Sequence, residues 1–176
     1  MQLLFYDAAD NCAASNTAMT VAYDIATATV VGLMAGNEFA VAAFVHPQLH
    51  KLGQSTHAQA AAPLAGVLGK AMPFWYGIAL LVILGAAFEH RPVSTGPGLF
   101  LLMAAILWTA TIVFTITMLV PINNRIAKMD PDHPYDCWLQ DRSRWDQLHQ
   151  LRVALLIMAF VLLLTGLFAG AATTRL

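Results

Sequence analysis

Apolar positions along the 176 residues gather into four long runs. A helix rises 1.5 Å per residue, so about 20 mostly apolar residues cross the roughly 30 Å hydrocarbon core of a bilayer. Residues 25–46, 71–89, 98–120 and 150–172 meet that requirement. Between Ile25 and Val45 only Asn37 and Glu38 interrupt the run, and Val153 to Ala172 carries no charge. Pro73 falls near the start of the second run, where a first-turn proline is tolerated. The segment Glu89 to Gly98 holds Pro92, Gly96, Pro97 and Gly98, which predicts a tight antiparallel hairpin. The expected fold is all-α, an integral membrane four-helix bundle with antiparallel spans. Residues 25–176 are expected to form one transmembrane domain, with residues 1–24 as an extracytoplasmic segment ahead of it.

The connections differ in character. Pro47 to Lys70 is too long for a simple turn, and its Ala/Leu-rich part, Thr56 to Gly69, is expected either to lie on the membrane surface or to extend the second span past Pro63. The third loop opens with Pro121-Ile122-Asn123-Asn124-Arg125, and its second half is helical in pattern, with Asp136 as the expected N-cap leading into the fourth span.

Composition supports the bilayer reading. The chain is 59% hydrophobic and 11% charged, against about a quarter charged in ordinary soluble domains, and its mean hydropathy is +0.64. A net charge of -1 gives no electrostatic footprint for nucleic acid. Lys51, Lys70, Arg125, Lys128, Arg142, Arg144 and Arg152 fall on one side of the expected membrane, and only Arg91 and Arg175 on the other. The positive-inside rule then puts the first and third loops in the cytoplasm and both termini outside, in a plasma (inner) membrane. Met1 to Tyr6 is too short an apolar opening for a cleaved signal peptide. Cys12 and Cys137 would sit on opposite sides, so no disulfide is expected between them.

Glu38 is the most informative residue, because an ionisable group within a span needs a partner or a polar interior. Gly32 and Gly36 precede it, a pair that lets another helix approach closely. A second constellation, Trp138, Arg142, Trp145, His149 and Arg152, has spacings of four, three, four and three, which place all five on one helix face. Such a cationic and aromatic stripe suits either a flat anionic ligand or a belt at the headgroup level. The topology brings Glu38 and His46, Asn123, Asn124 and Arg125, and His149 and Arg152 toward one end of the bundle, around a pocket with Glu38 at its floor. His50, His57, His90 and His133 are expected to be solvated surface residues. No HExxH, Walker A, GxGxxG or Gly-x-Ser-x-Gly pattern is present, which disfavours a nucleotide or serine-hydrolase enzyme.

Gly36-Asn37-Glu38 with His46-Pro47, then Pro121-Ile122-Asn123-Asn124-Arg125, then Arg144-Trp145-Asp146-Gln147-Leu148-His149-Gln150-Leu151-Arg152 together resemble the anthrone oxygenase-like family of small four-helix membrane proteins. The resemblance runs from about Val30 to Gly170. It implies oxidation of an anthrone by molecular oxygen without a classical flavin or haem, with Glu38, Asn123, Asn124, Trp145, His149 and Arg152 lining the site. An anthrone is a carbon acid whose anion is phenolate-like and reduces oxygen directly. The protein must supply a base and hold the anion. His149 is the expected base, Arg152 and Asn124 the oxyanion partners, and Glu38 an orienting or proton-switching group. Trp138 and Trp145 are expected to stack on substrate, with Arg142, Asn123 and His46 also binding it. The expected partners are a small hydrophobic molecule and the lipid bilayer, and a homo-oligomer is compatible with the pattern. No cofactor and no metal ligand are expected under this reading. Two alternatives stay open: a haem or single metal ion held by His46 and His149, and a non-enzymatic membrane partner whose polar residues serve helix packing.

Overall fold

The computed structural model describes the backbone of residues 2–173 and the side chains of residues 15–171. Four rods run up and down. The first comprises α1 (Gln2–Ala40), a π-helical turn (Val41–Val45) and α2 (His46–Leu49). The second is α3 (Gln54–Glu89). The third comprises α4 (Gly96–Phe114), another π-helical turn (Thr115–Leu119) and α5 (Val120–Ala127), and the fourth is α6 (Trp138–Thr173). Within these rods, Ser15–Leu49, Gln54–Glu89, Gly96–Ala127 and Trp138–Ala171 are long and apolar enough to cross a membrane, and no strand occurs among the described residues. This is an all-α, four-helix integral membrane architecture.

The rods are longer than the apolar runs. α1 is already helical at Gln2, well ahead of the first apolar run. Of the two expectations for Thr56 to Gly69, extension of the second span is the one realised. Pro73 therefore lies deep inside α3 and not in a first turn. Asp136 is not the cap; it lies two residues ahead of the first helical residue, Trp138. A 36-residue helix is about 54 Å long, well beyond the hydrocarbon core, so its ends reach the headgroup region.

The two π-helical turns have a common cause. Each ends two residues before a proline, Pro47 or Pro121. A proline ring collides with the carbonyl four residues back and has no N–H to offer it. Widening the turn relieves the collision: the His46 N–H donates to the Val41 carbonyl and the Val120 N–H to the Thr115 carbonyl, each five residues earlier.

Each rod packs on the next in sequence, and α6 closes back onto α1. The half of the bundle nearest the 90–95 hairpin is filled by Val31, Met34, Ile83, Leu101, Trp108, Leu156 and Leu163. Small residues bring α4 and α6 together: Gly166 leaves the room that Leu101 and the Pro97 carbonyl occupy. Gly32 similarly accommodates the Phe160 ring, whereas Gly36 faces open space. Gly96, at φ +59°, supplies the left-handed residue that starts α4. Phe74, Leu81, Phe168 and other large apolar side chains are exposed around the outside, which suits lipid and not water.

Candidate functional site

At the opposite end the bundle interior changes from apolar to ionic. Glu38, on the last turns of α1, is 3% exposed. Arg152 of α6 donates to its Oε2 at 2.6 Å, and the same nitrogen donates to His149 Nδ1 at 2.7 Å. His149 Nδ1 lies 3.4 Å from Glu38 Oε2, so the three groups form one cluster with the guanidinium at its centre. The i, i+3 spacing of His149 and Arg152 on α6 puts both on the face that meets α1. Arginine has donors only. His149 Nδ1 must therefore accept, and its proton resides on Nε2. This arrangement occupies the lone pair that the expected general base would use. The acceptor that carries charge in the cluster is the Glu38 carboxylate.

The cluster borders a cavity of about 220 Å³ between the rods. Its apolar wall includes Leu68, Met72, Ile112, Ile116 and Leu119; its polar wall is Glu38, Tyr76, Asn123, His149 and Arg152. The second π-helical turn contributes Thr115, Ile116 and Leu119, so the widened backbone is part of the cavity. Pro73 also lines it, together with Gly69, whose carbonyl cannot receive the usual helical bond from Pro73. Gly69, Pro73 and Ile116, which line the cavity between α3 and the third rod, are themselves exposed residues. Asn123 Nδ2 donates to the Ala65 carbonyl at 3.1 Å, fixing the amide against α3. Trp145 stacks on His149, with centroids 4.7 Å apart and planes 16° apart. The Arg152 guanidinium lies 5.8 Å from the Tyr76 ring centroid and 5.9 Å from that of Trp145. Three donor atoms here are buried without a regular hydrogen bond among the described residues: Arg152 Nε, His149 Nε2 and the Tyr76 hydroxyl, which lies beside Glu38.

Behind the cavity sits a second polar layer. Asp146 is 7% exposed and receives a 2.6 Å hydrogen bond from His50 Nε2. His46 Nδ1 lies 3.2 Å and an Arg142 nitrogen 2.8 Å from its other oxygen. His46 packs against both Trp145 and His149, at centroid separations of 5.0 and 4.9 Å. Arg142 lies over Trp145 at 4.8 Å, and Trp138 meets His57 at 5.1 Å. The loop beyond is tied down by Arg125, which holds Asp141 through two hydrogen bonds of 2.7 and 2.8 Å. Tyr135 donates to the same carboxylate at 2.8 Å; partial burial and that bond push its hydroxyl up to about 12.

The five-residue stripe Trp138, Arg142, Trp145, His149 and Arg152 is buried throughout. It divides between the layers: Trp145, His149 and Arg152 line the cavity, whereas Trp138, Arg142 and also His46 stand behind it. Asn123 lines the cavity, but Asn124 is exposed and does not, because adjacent helical residues point about 100° apart. His57 is buried, and His90 is largely buried against Asp24 at 3.0 Å, so neither is a solvated surface residue. His133 is exposed as expected. Tyr76 and Asp146 were not singled out from sequence. Asp146 was detectable as the i+4 partner of Arg142; Tyr76 had no signal beyond its place in an apolar run. Cys137 is free and exposed, and the side chain of Cys12 lies outside the described residues. No three His, Cys, Asp or Glu among the described residues are grouped to hold a metal ion.

Residues 65–162, more than half of the chain, match the family model of anthrone oxygenase. The chain belongs to the anthrone oxygenase family. The matched stretch holds most of the cavity wall, including Tyr76, Asn123, Trp145, His149 and Arg152. Glu38 and His46 lie before it, so the first rod completes the site from outside the segment that matches the anthrone oxygenase family. No curated protein and no solved structure matches the chain.

Proposed function

We propose that this protein is a membrane-embedded oxidase that uses molecular oxygen on a small lipid-soluble aromatic carbon acid of the anthrone type. The observation that carries the reading is the pairing of an apolar cavity with an unpartnered buried donor, Arg152 Nε, and with the Tyr76 hydroxyl beside the Glu38 carboxylate. A buried donor without an acceptor is rare, and an oxyanion on a flat apolar ligand would satisfy it. In the proposed reaction Glu38 removes a proton from the substrate methylene. Arg152 and Tyr76 hold the resulting oxyanion, with Trp145 along its ring system. The anion reduces oxygen and combines with it as a peroxide anion, which takes the proton back from Glu38 to become a hydroperoxide and then loses water. The balance is CH2 plus O2 to C=O plus H2O, with no external reductant. The exposure of the lining residues Gly69, Pro73 and Ile116 supports access between α3 and the third rod from the bilayer, where such a substrate dissolves. The rings of His46 and His149 stand too close to sandwich a porphyrin, which favours this reading over a haem between them. The polar end of the bundle is assigned to the cytoplasmic side of a plasma (inner) membrane, from its share of Lys and Arg.

The test is oxygen uptake by purified protein in lipid nanodiscs supplied with an anthrone, measured against spontaneous autoxidation. Turnover is expected to exceed the background and to fall by about 100-fold or more in Glu38→Gln, which keeps the shape and removes the base. Uptake equal to background in the wild type, or an unaltered rate in Glu38→Gln, overturns the reading.

A further inference from the structure

The cavity has a side as well as a polar end. We propose that the seam between α3 and the third rod is a lateral window for a hydrocarbon tail, so that the ligand is a flat ring carrying an oxygen acceptor, with an aliphatic chain that leaves through the seam into the bilayer. The proposal rests on the reading of this cavity as the site of a lipid-soluble ring, and it adds the tail.

Two contacts tie the seam at its ends. Gly69 of α3 sits so close to Asn123 of α5 that a methyl group added there would meet Nδ2 at 2.7 Å, and the same amide donates to the Ala65 carbonyl. Farther along, the Trp108 indole N–H of α4 donates to the Tyr76 carbonyl of α3 at 3.2 Å. Between these ties α3 presents Gly69, Pro73 and Gly77, which at spacings of four share one face and span about 12 Å. That face has almost no side chain. All three residues line the cavity, Pro73 is exposed, and a methyl group added at Gly77 would meet no atom of the described residues within 4 Å. Across the seam the third rod presents Ile112, Ile116 and Val120, again four apart, and Ile116 is 59% exposed. Two rods tied at both ends of this stretch thus leave space between the ties.

Small residues alone would serve equally well for packing another helix. The second observation is polar. Arg152 lines the same cavity, and its buried Nε has no hydrogen-bond partner among the described residues. An occupant that satisfies it carries an oxygen acceptor, whereas the seam accepts only hydrocarbon. A molecule with a ring head and an aliphatic tail meets both demands at once. The tail adds little affinity, because lipid chains are as apolar as the Ile and Pro side chains of the seam, so a methylene gains nothing by moving from one to the other. Its consequence is tolerance of length. A sealed cavity of about 220 Å³ would reject a long chain, whereas an open seam admits it.

The test uses anthraquinones alkylated on an outer ring, which bear the oxidised head and do not turn over, with the intact protein in lipid nanodiscs. Methyl, butyl and decyl compounds are expected to bind with Kd values within about threefold of one another, each referred to its concentration in the bilayer. A butyl compound with a photoreactive diazirine at the chain end is expected to label Gly69–Gly77 of α3 and Ile112–Val120 of the third rod, and excess methyl anthraquinone to displace it. Gly77→Leu puts a side chain into the open space and is expected to raise the ratio of decyl to methyl Kd by about tenfold or more. Rejection of the decyl compound by the wild type overturns the window. So does label elsewhere, or label that methyl anthraquinone does not displace, which would mark the seam as a place for bilayer chains alone. Oxygen uptake with an anthrone is measured on the same preparation. Uptake above background with the decyl compound rejected removes the window and leaves the oxidase; displaceable label in the seam with uptake at background leaves the window and removes the oxidase.

Discussion

The two ends of the bundle are built from the same four rods yet solve opposite problems. Near the 90–95 hairpin the helices are regular, the interior is apolar, and Asp24 and His90 satisfy one another as a pair. At the other end both π-helical turns, Pro47, Pro73 and Pro121, and the Glu38–Arg152–His149 cluster share one level of the structure. Irregular backbone in a membrane is tolerated where protein or a cavity covers it. Here the irregular turns border the cavity, so what weakens the helices as packing elements opens the space between them.

That contrast is sharpest at Arg152. Arg152→Ala leaves the Glu38 carboxylate buried and unpaired, and it is expected to cost about 3–5 kcal/mol of stability along with all turnover, read from thermal unfolding in detergent and oxygen uptake. Leu101→Ala, in the fully buried apolar half, is expected to cost a comparable but smaller amount, about 2–4 kcal/mol, while turnover per folded molecule stays within twofold of about wild type. Equal loss of activity in both would erase the division into a packing end and a working end. Asp24→Asn weakens a charge-assisted hydrogen bond at the packing end, so a loss of about 1–2 kcal/mol with unaltered turnover is expected. The smallest effect tests register within the working end. Asn124→Ala is expected to change stability by no more than about 0.5 kcal/mol and to leave turnover intact, whereas Asn123→Ala, which removes the tie to the Ala65 carbonyl, is expected to lower both.

Much of the site was legible because a membrane span makes polar residues conspicuous. Glu38 stood out against its run, and the spacing of Trp138, Arg142, Trp145, His149 and Arg152 gave one helix face, which the structure buries. Neighbour relations were harder. Whether Asn123 or Asn124 faces the cavity depends on helix rotation, which the π-helical turn before Pro121 alters locally. His50 and His57 read as loop residues because their stretch is polar or alanine-rich, and only the docking of α2 and α3 against α6 places them near Asp146 and Trp138. His149 makes the same point: its spacing was legible, but only the packed structure shows Arg152 donating to its Nδ1.

Length, apolar runs and the scarcity of charge determined by themselves that this chain forms four membrane-crossing helices, because hydrocarbon admits few alternatives to an apolar helix. The same sequence determined which polar residues had to be explained. Only the tertiary structure decided which of them touch. The contacts that matter here join residues as far apart as Glu38 and Arg152, or His50 and Asp146, and their partners are chosen by how four rods rotate and bend against one another. Direction of donors and acceptors, which fixes the tautomer of His149, exists only after that packing is complete.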